Sequence, residues 1–203
     1  MKIGLALVLS AVVMTTALVS TQSNAVRVRV QTELGDIVIE VDPVKAPVTT
    51  ANFLKYVDGG HYDGGIFHRT VKMDNQPESP VKIEVIQAGV NPDRAKEGFP
   101  AIALERTSVT KILHKDGVVS MARGAPDSAT SGWFVCINDQ PSLDFGGARN
   151  PDGQGFAAFG HVVTGMDVVR KIQAAPSSSN RTTNTEAQKL TPLIKILKVA
   201  RVR

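Results

Sequence analysis

Gly117-Val118-Val119-Ser120-Met121-Ala122-Arg123, followed by Asp127-Ser128-Ala129-Thr130-Ser131-Gly132-Trp133-Phe134-Val135, decides how this chain is read. Each stretch carries a short apolar segment, β-branched in the first and aromatic in the second, the composition of a strand. The residues between them are small and polar, as a turn-rich loop requires. Successive strand residues point to opposite faces, so of Trp133 and Phe134 only one can enter the core. Phe134 is either ordinary core or a side chain presented on the other face.

Working outward, the same pattern recurs. Val26 to Val30 alternates strictly and Ile37 to Val41 largely so, with Glu33-Leu34-Gly35-Asp36 as a tight turn, which gives an opening hairpin. A helix is expected from Pro47, because Phe53, Leu54 and Val57 share one face and Gly59-Gly60 stops it. Ile66 to Thr70 is the next strand. Lys72 to Pro80, with two prolines and mixed charge, reads as a surface loop, and Val81 to Ala88 resumes alternation. Ala101 to Leu104 and the segments around Val119, Phe134 and Phe159 add short strands. A second helix follows Gly165-Met166, with Asp167 as its expected N-cap. Pro176 to Asn184 has no periodicity and reads as a loop, and Leu193 to Val199 closes the chain as a strand. Many short strands with two separated helices imply a mostly β domain, either a barrel capped by helices or a sandwich. There is no internal repeat and no linker, so residues 26–203 form one domain.

Residues 1–25 stand apart from this pattern. Lys2 gives a positive start, Ile3 to Val13 is apolar, and Ser23-Asn24-Ala25 offers small residues before an expected cleavage at Ala25–Val26. The rival reading, a retained anchor, is weakened by Thr15, Thr16 and the lack of a positive flank after the run. The expectation is therefore export, to a periplasm or beyond the cell, with no stable membrane insertion after cleavage. The only cysteine, Cys136, cannot form an internal disulfide and reads as a core thiol. With 23 basic and 19 acidic residues the net charge is +4, and the charges are scattered rather than clustered. That argues against a nucleic-acid partner.

Several motifs invite other functions and fail on context. Gly153-Gln154-Gly155-Phe156-Ala157-Ala158 has the letters of a dinucleotide loop but lacks the preceding strand and following helix. Its glycines are expected simply to turn a loop beside the barrel. The histidines His61, His68, His114 and His161 show no metal-ligand spacing, so no metal and no cofactor is expected. His61 reads as a loop residue, and His114 needs no special role. Asp144 and Asp152 lack recognisable partners, and Ser120, Ser128 and Ser131 lack the strained glycine-flanked turn of a hydrolase nucleophile.

Phe67-His68-Arg69, Gln87-Ala88-Gly89, Gly117 to Arg123, Gly132 to Val135 and Phe159-Gly160-His161-Val162, in this order, resemble a cyclophilin. The resemblance spans roughly Arg27 to Val202 and rests on several ordered motifs rather than one. It implies a closed eight-stranded antiparallel β-barrel capped by two α-helices. The implied activity is peptidyl-prolyl cis-trans isomerisation on proline-containing polypeptides, by a monomer. Arg69 matches the family's catalytic arginine. His68, Val85, Gln87, Ala122, Arg123, Phe134, Leu143 and Phe156 match substrate-binding positions, with Arg123 contributing through its main chain. Phe134 and Leu143 belong to the proline slot, and Gln87 holds the peptide near the arginine. By strand alternation His68 should face away from Arg69 and act as a supporting, interior residue.

This chain departs from the resemblance at several positions. It is longer between Arg69 and Gln87, with the extra residues placed at 72–80. That placement puts Glu84 where a pocket phenylalanine is usual and Val85 where a methionine is usual. Gly132 replaces a glutamine, Ser142 a tryptophan that contacts cyclosporin, Phe156 a histidine and Arg123 an asparagine. Weak or absent cyclosporin binding follows, and inhibition of isomerisation at low drug concentration would contradict it. These departures also leave a non-enzymatic module, holding extended proline segments in the same groove, as the alternative to an isomerase. A barrel that merely displays the 72–80 loop to a partner is a poorer third reading.

Overall fold

The computed structural model describes residues 26–202; the expected export signal lies outside the described residues. The strands are β1 (Val26–Thr32), β2 (Gly35–Val41), β3 (Ile66–Val71), β4 (Val85–Gly89), β5 (Val118–Met121), β6 (Trp133–Cys136), β7 (Ala157–Thr164) and β8 (Lys189–Arg201). They close into an antiparallel barrel in the order β1-β2-β7-β5-β6-β4-β3-β8. The helices are α1 (Pro47–Asp58) and α3 (Met166–Ala174), with single-turn helices α2 (Thr107–Thr110) and α4 (Asn184–Ala187). Among the described residues closure leaves no open sheet edge, which is how a β domain avoids pairing with other chains. The barrel alternative to the sandwich is the one the chain adopts.

Alternation drives Val28, Val30, Ile37, Ile39, Val41, Phe67, Ile86, Val119, Met121, Trp133, Val135, Phe159, Ile194, Ile196 and Val199 into one interior cluster. Helix α1 follows the end of β2, whereas α3 follows the end of β7, which pairs with the start of β2. The two helices therefore plug opposite mouths of the barrel, one through Phe53, Leu54 and Val57 and the other through Val168, Val169 and Ile172. Helix α1 has Pro at its start and no local side-chain cap. A remote carboxylate serves instead: Val48 N and Thr49 N donate to Glu105 at 3.1 and 2.7 Å, and its negative charge suits that helix end.

The structure corrects the sequence reading in five places. Asp167 is not the N-cap of α3; Gly165 occupies that position at φ 93°, and Asp167 sits in the first turn, 3.2 Å from Lys171. Only glycine fits there, because a side chain would collide with the Asp36 carbonyl. Ala101 to Leu104 is not a strand but a single bridge, Ile102 to Ala129, since the closed barrel offers it no edge. The strand expected from Val81 begins only at Val85, and that expected from Leu193 starts earlier, at Lys189. The loop at Lys72 to Pro80 is not wholly superficial: Asn75 and Gln76 are buried and fully hydrogen-bonded.

Candidate active site

A second, smaller apolar cluster lies on the outer face of the barrel: Val71, Ile83, Val85, Phe134, Cys136 and Leu143, with Ala122 and Phe156 packed against it. Its existence resolves the Trp133–Phe134 ambiguity. Trp133 enters the barrel core and Phe134 belongs to the outer cluster, and both are buried because each face has its own core. This cluster floors a cleft of about 200 Å³ lined by Arg69, Ile83, Val85, Gln87, Ala122, Arg123, Phe134, Leu143, Arg149, Asn150 and Phe156.

Strand register lines up its polar wall. Arg69 pairs with Gln87, Gln87 with Phe134, and Phe134 with Ser120, a single row across β3, β4, β6 and β5. Arg69 is held from two sides, Nη1 donating to Gln87 Oε1 and Nε to Gln188 Oε1, both at 2.8 Å. Both partners are neutral acceptors, so they fix the guanidinium without neutralising it, and its remaining N–H groups are left for the cleft. Burial, and to a lesser degree the Arg149 cation, push its pKa down to about 10, which still leaves it charged at neutral pH.

The expected site residues converge, with two corrections. His68 does not face away from Arg69. A bulge in β3 between Phe67 and Arg69 breaks the alternation, and the two side chains line the same neighbouring depression, about 640 Å³, with Ile66, Gln87, Glu186 and Leu193. His68 is only half-buried rather than interior; burial, then the charge of Arg69, lowers its pKa. Glu84 is not a pocket wall. Residues 83, 85 and 87 share the cleft face, so Ile83 supplies the apolar wall, while Glu84 accepts from Asn138 Nδ2 and Gln173 Nε2 at 2.9 and 3.1 Å. Val85, Gln87, Ala122, Arg123, Phe134, Leu143 and Phe156 all line the cleft as expected.

Further readings change as well. Arg123, expected to contribute through its main chain, also places a buried side chain beside the cleft. Its Nε donates to Gly155 O at 2.7 Å, its Nη groups grip Asp152 at 2.8 and 2.9 Å, and its guanidinium lies over Phe156. Asp152, which the sequence left without a partner, has its pKa held down to about 2 by Arg123. His114, expected to need no special role, is buried, with Nδ1 at 2.7 Å from Asp144 and Nε2 at 3.0 Å from Ser120. Its ring stacks under Phe134 at 6.1 Å and 13°, so the His114–Asp144 contact braces the cleft floor from beneath.

Gln188, Ile83, Arg149 and Asn150 were missed by sequence reading. Gln188 and Ile83 reach the site through the folding of loops, which no local pattern announces. Arg149 and Asn150 arrive because the 145–156 loop doubles back at Gly155. There φ is +66°, and a Cβ would lie 2.7 Å from Leu143 O. The glycines of the false dinucleotide motif do turn a loop, and that loop carries a cation to the cleft. The clue in the sequence was the glycine spacing itself.

The comparisons with known proteins agree with this geometry. Residues 27–200 match the family model described as cyclophilin type peptidyl-prolyl cis-trans isomerase. The chain is 34% identical over 155 residues to a peptidyl-prolyl cis-trans isomerase, cyp18, of Streptomyces antibioticus, covering 76% of this chain and 87% of that one. It is 37% identical over 153 residues to a peptidyl-prolyl cis-trans isomerase of Acinetobacter baylyi, covering 75% and 74%. A crystal structure of a Cryptosporidium parvum cyclophilin, obtained in the presence of the dipeptide Ala-Pro, superposes with a TM-score of 0.67 at 21% identity, covering 87% of this chain and 99% of that one. Barrel order, outer-face cleft and sequence matches converge: this chain belongs to the cyclophilin-type peptidyl-prolyl cis-trans isomerase family.

Proposed function

We propose that this isomerase accelerates rotation about Xaa-Pro bonds in exported polypeptides, with Arg69 stabilising the twisted amide. The barrier of about 18–20 kcal/mol comes from amide resonance. Rotation to a right angle breaks the resonance and localises a lone pair on the proline nitrogen. A donor aimed at that lone pair binds the twisted state more strongly than either planar one, the condition for catalysis. The carrying observation is a permanently charged guanidinium, clamped by two neutral glutamines, at the edge of an apolar slot built from Ile83, Val85, Phe134, Leu143 and Phe156. The slot takes the proline ring and excludes water, which strengthens the arginine's interaction. Ala122 and the Arg123 main chain lie at the rim, where an extended substrate can pair with them. Such pairing reads backbone more than side chain and favours broad specificity.

Glu84, Val85, Gly132 and Ser142 motivate the non-enzymatic alternative; of these, Glu84 faces away from the cleft and Val85 serves as part of its apolar wall. A protease-coupled assay on an Ala-Pro peptide separates the two readings. The isomerase must accelerate the cis-to-trans step, whereas peptide binding without acceleration establishes the holding module. The export reading rests on the charged, apolar and small-residue order of residues 1–25. It is tested by following whether the full chain is cleaved at Ala25–Val26 on leaving the cytoplasm.

The mechanism makes a pH prediction. No step moves a proton, Arg69 stays charged well above neutrality, and burial lowers the pKa of His68, so its neutral form persists from pH 7 upward. We therefore expect kcat/KM to be flat between pH 7 and 9. A change of more than about threefold across that range would indicate a titrating group in the rate-determining step.

A further inference from the structure

Gln188, the single residue joining α4 to β8, is fully buried and is the only partner of the Arg69 Nε among the described residues. A glutamine amide could present either its oxygen or its nitrogen to a guanidinium, and only the oxygen is attractive. What settles the choice lies in the 72–80 loop. Gln188 Nε2 donates to the main-chain oxygen of Asn75 at 3.1 Å, which turns Oε1 toward Arg69.

Asn75 is itself immobilised. Its Nδ2 donates to Thr70 O at 2.9 Å, one residue after Arg69 on β3, and to Ala187 O at 3.4 Å, one residue before Gln188. Its Oδ1 accepts from Lys72 N at 2.7 Å. The main chain closes the circuit, with Thr70 N donating to Gln188 O at 2.9 Å. The neighbouring Gln76 does the same for the opposite wall: its Oε1 accepts from Ile83 N and Arg149 Nη1, and its Nε2 donates to Ile83 O. Two adjacent buried amides in one loop thus anchor both the arginine's holder and the apolar wall facing it. Asn75 thereby reaches residues 112 and 113 positions away and Gln76 one 73 positions away, so the loop ties the end of β3 to the start of β8 and to the 145–156 loop.

We propose that Gln188 is a positioning residue for Arg69, and that the 72–80 loop is the element that orients it. This rests on the reading of Arg69 as the catalytic group. With Gln188 in place the guanidinium is fixed at both Nε and Nη1, leaving one orientation of the N–H groups toward the cleft. Without it, rotation about the last side-chain bonds is restrained only by Gln87.

The test compares Gln188→Leu, Gln188→Glu, Arg69→Ala and the Arg69→Ala/Gln188→Leu double variant on an Ala-Pro peptide, with thermal melts alongside. Gln188→Leu is expected to lose about tenfold in kcat with KM changed less than twofold. In the Arg69→Ala background the same substitution should remove nothing further, because it acts through the arginine. Gln188→Glu keeps an acceptor for Nε but replaces the amide that donates to Asn75 O with a second oxygen and sets a carboxylate against the guanidinium, so it is also expected to lose about tenfold in kcat. In wild type the Arg69 Nε–H is expected to exchange slowly by NMR, and this decides the matter where neither variant folds. An unchanged kcat in Gln188→Leu or in Gln188→Glu, an equal tenfold loss in the Arg69→Ala background, or a fast-exchanging Arg69 Nε–H in wild type would each overturn the proposal. Should Arg69→Ala itself run at the wild-type rate, the reading of Arg69 falls first. A slow Arg69→Ala beside a normal Gln188→Leu removes only the role of Gln188.

Discussion

Arg69→Ala is expected to lower kcat/KM on an Ala-Pro peptide by about 100- to 1,000-fold while leaving the barrel folded. The magnitude follows from what a preorganised donor contributes in a water-excluded site, about 2.7–4 kcal/mol of transition-state stabilisation. At 1.36 kcal/mol per factor of ten, that is two to three decades. The loss should fall on kcat rather than KM, because the lone pair on nitrogen exists only in the twisted state. Arg69→Lys should recover little: an ammonium keeps the charge but cannot bridge Gln87 and Gln188 while presenting a further rigid N–H to the cleft. Truncation also leaves the buried Gln188 oxygen without its donor, a cost of about 1–3 kcal/mol of stability. Melting curves must therefore accompany the kinetics, and rates must be read well below the transition. A folded Arg69→Ala within threefold of wild type would mean the arginine is not the source of the acceleration.

How much of this was legible beforehand depended on whether a property is local. The opening hairpin, the first helix and the β5–β6 pair are written in alternation and in Pro and Gly placement, and they form as read. The line of Arg69, Gln87 and Phe134 was legible as ordered motifs, because strands convert order into adjacency. His68 was misread for a physical reason: one extra residue in β3 cancels the two-residue period, and nothing in Ile66 to Val71 marks the bulge. Glu84 was misread because placing the extra residues at 72–80 set it against a pocket position, whereas Ile83, Val85 and Gln87 alternate toward the cleft and Glu84 turns to Asn138 and Gln173. His114, Gln188 and Arg149 were invisible because their meaning lies in partners 30, 119 and 73 positions away. Buried amides in a polar loop look like solvent-facing residues until the carbonyls that satisfy them are located in space.

Trp133 and Phe134 offer the sharpest check that the barrel has two cores with different duties. Trp133 is fully buried and meets Phe53, Tyr62 and Phe67 edge-on at 6.0, 6.4 and 5.6 Å. Trp133→Ala empties the centre of the interior and is expected to cost about 3–5 kcal/mol. For a domain of this size that lowers Tm by roughly 10 °C. Trp133→Phe should recover most of this, since the indole Nε1 has no hydrogen-bond partner among the described residues and none is lost. Phe134, one residue on, stacks between His114 and the edge of Phe156 at the cleft floor. Phe134→Ala opens toward solvent rather than into a sealed void, so its stability cost should be the smaller of the two. Its activity cost should be larger, roughly 10- to 100-fold in kcat/KM, because the slot loses the surface against which the proline ring packs. Trp133→Ala, assayed well below its lowered Tm, should keep activity within about threefold. If the two substitutions exchanged these effects, Phe134 would be the interior residue, and the row running from Arg69 through Gln87 to Phe134 would not be the isomerase's working surface.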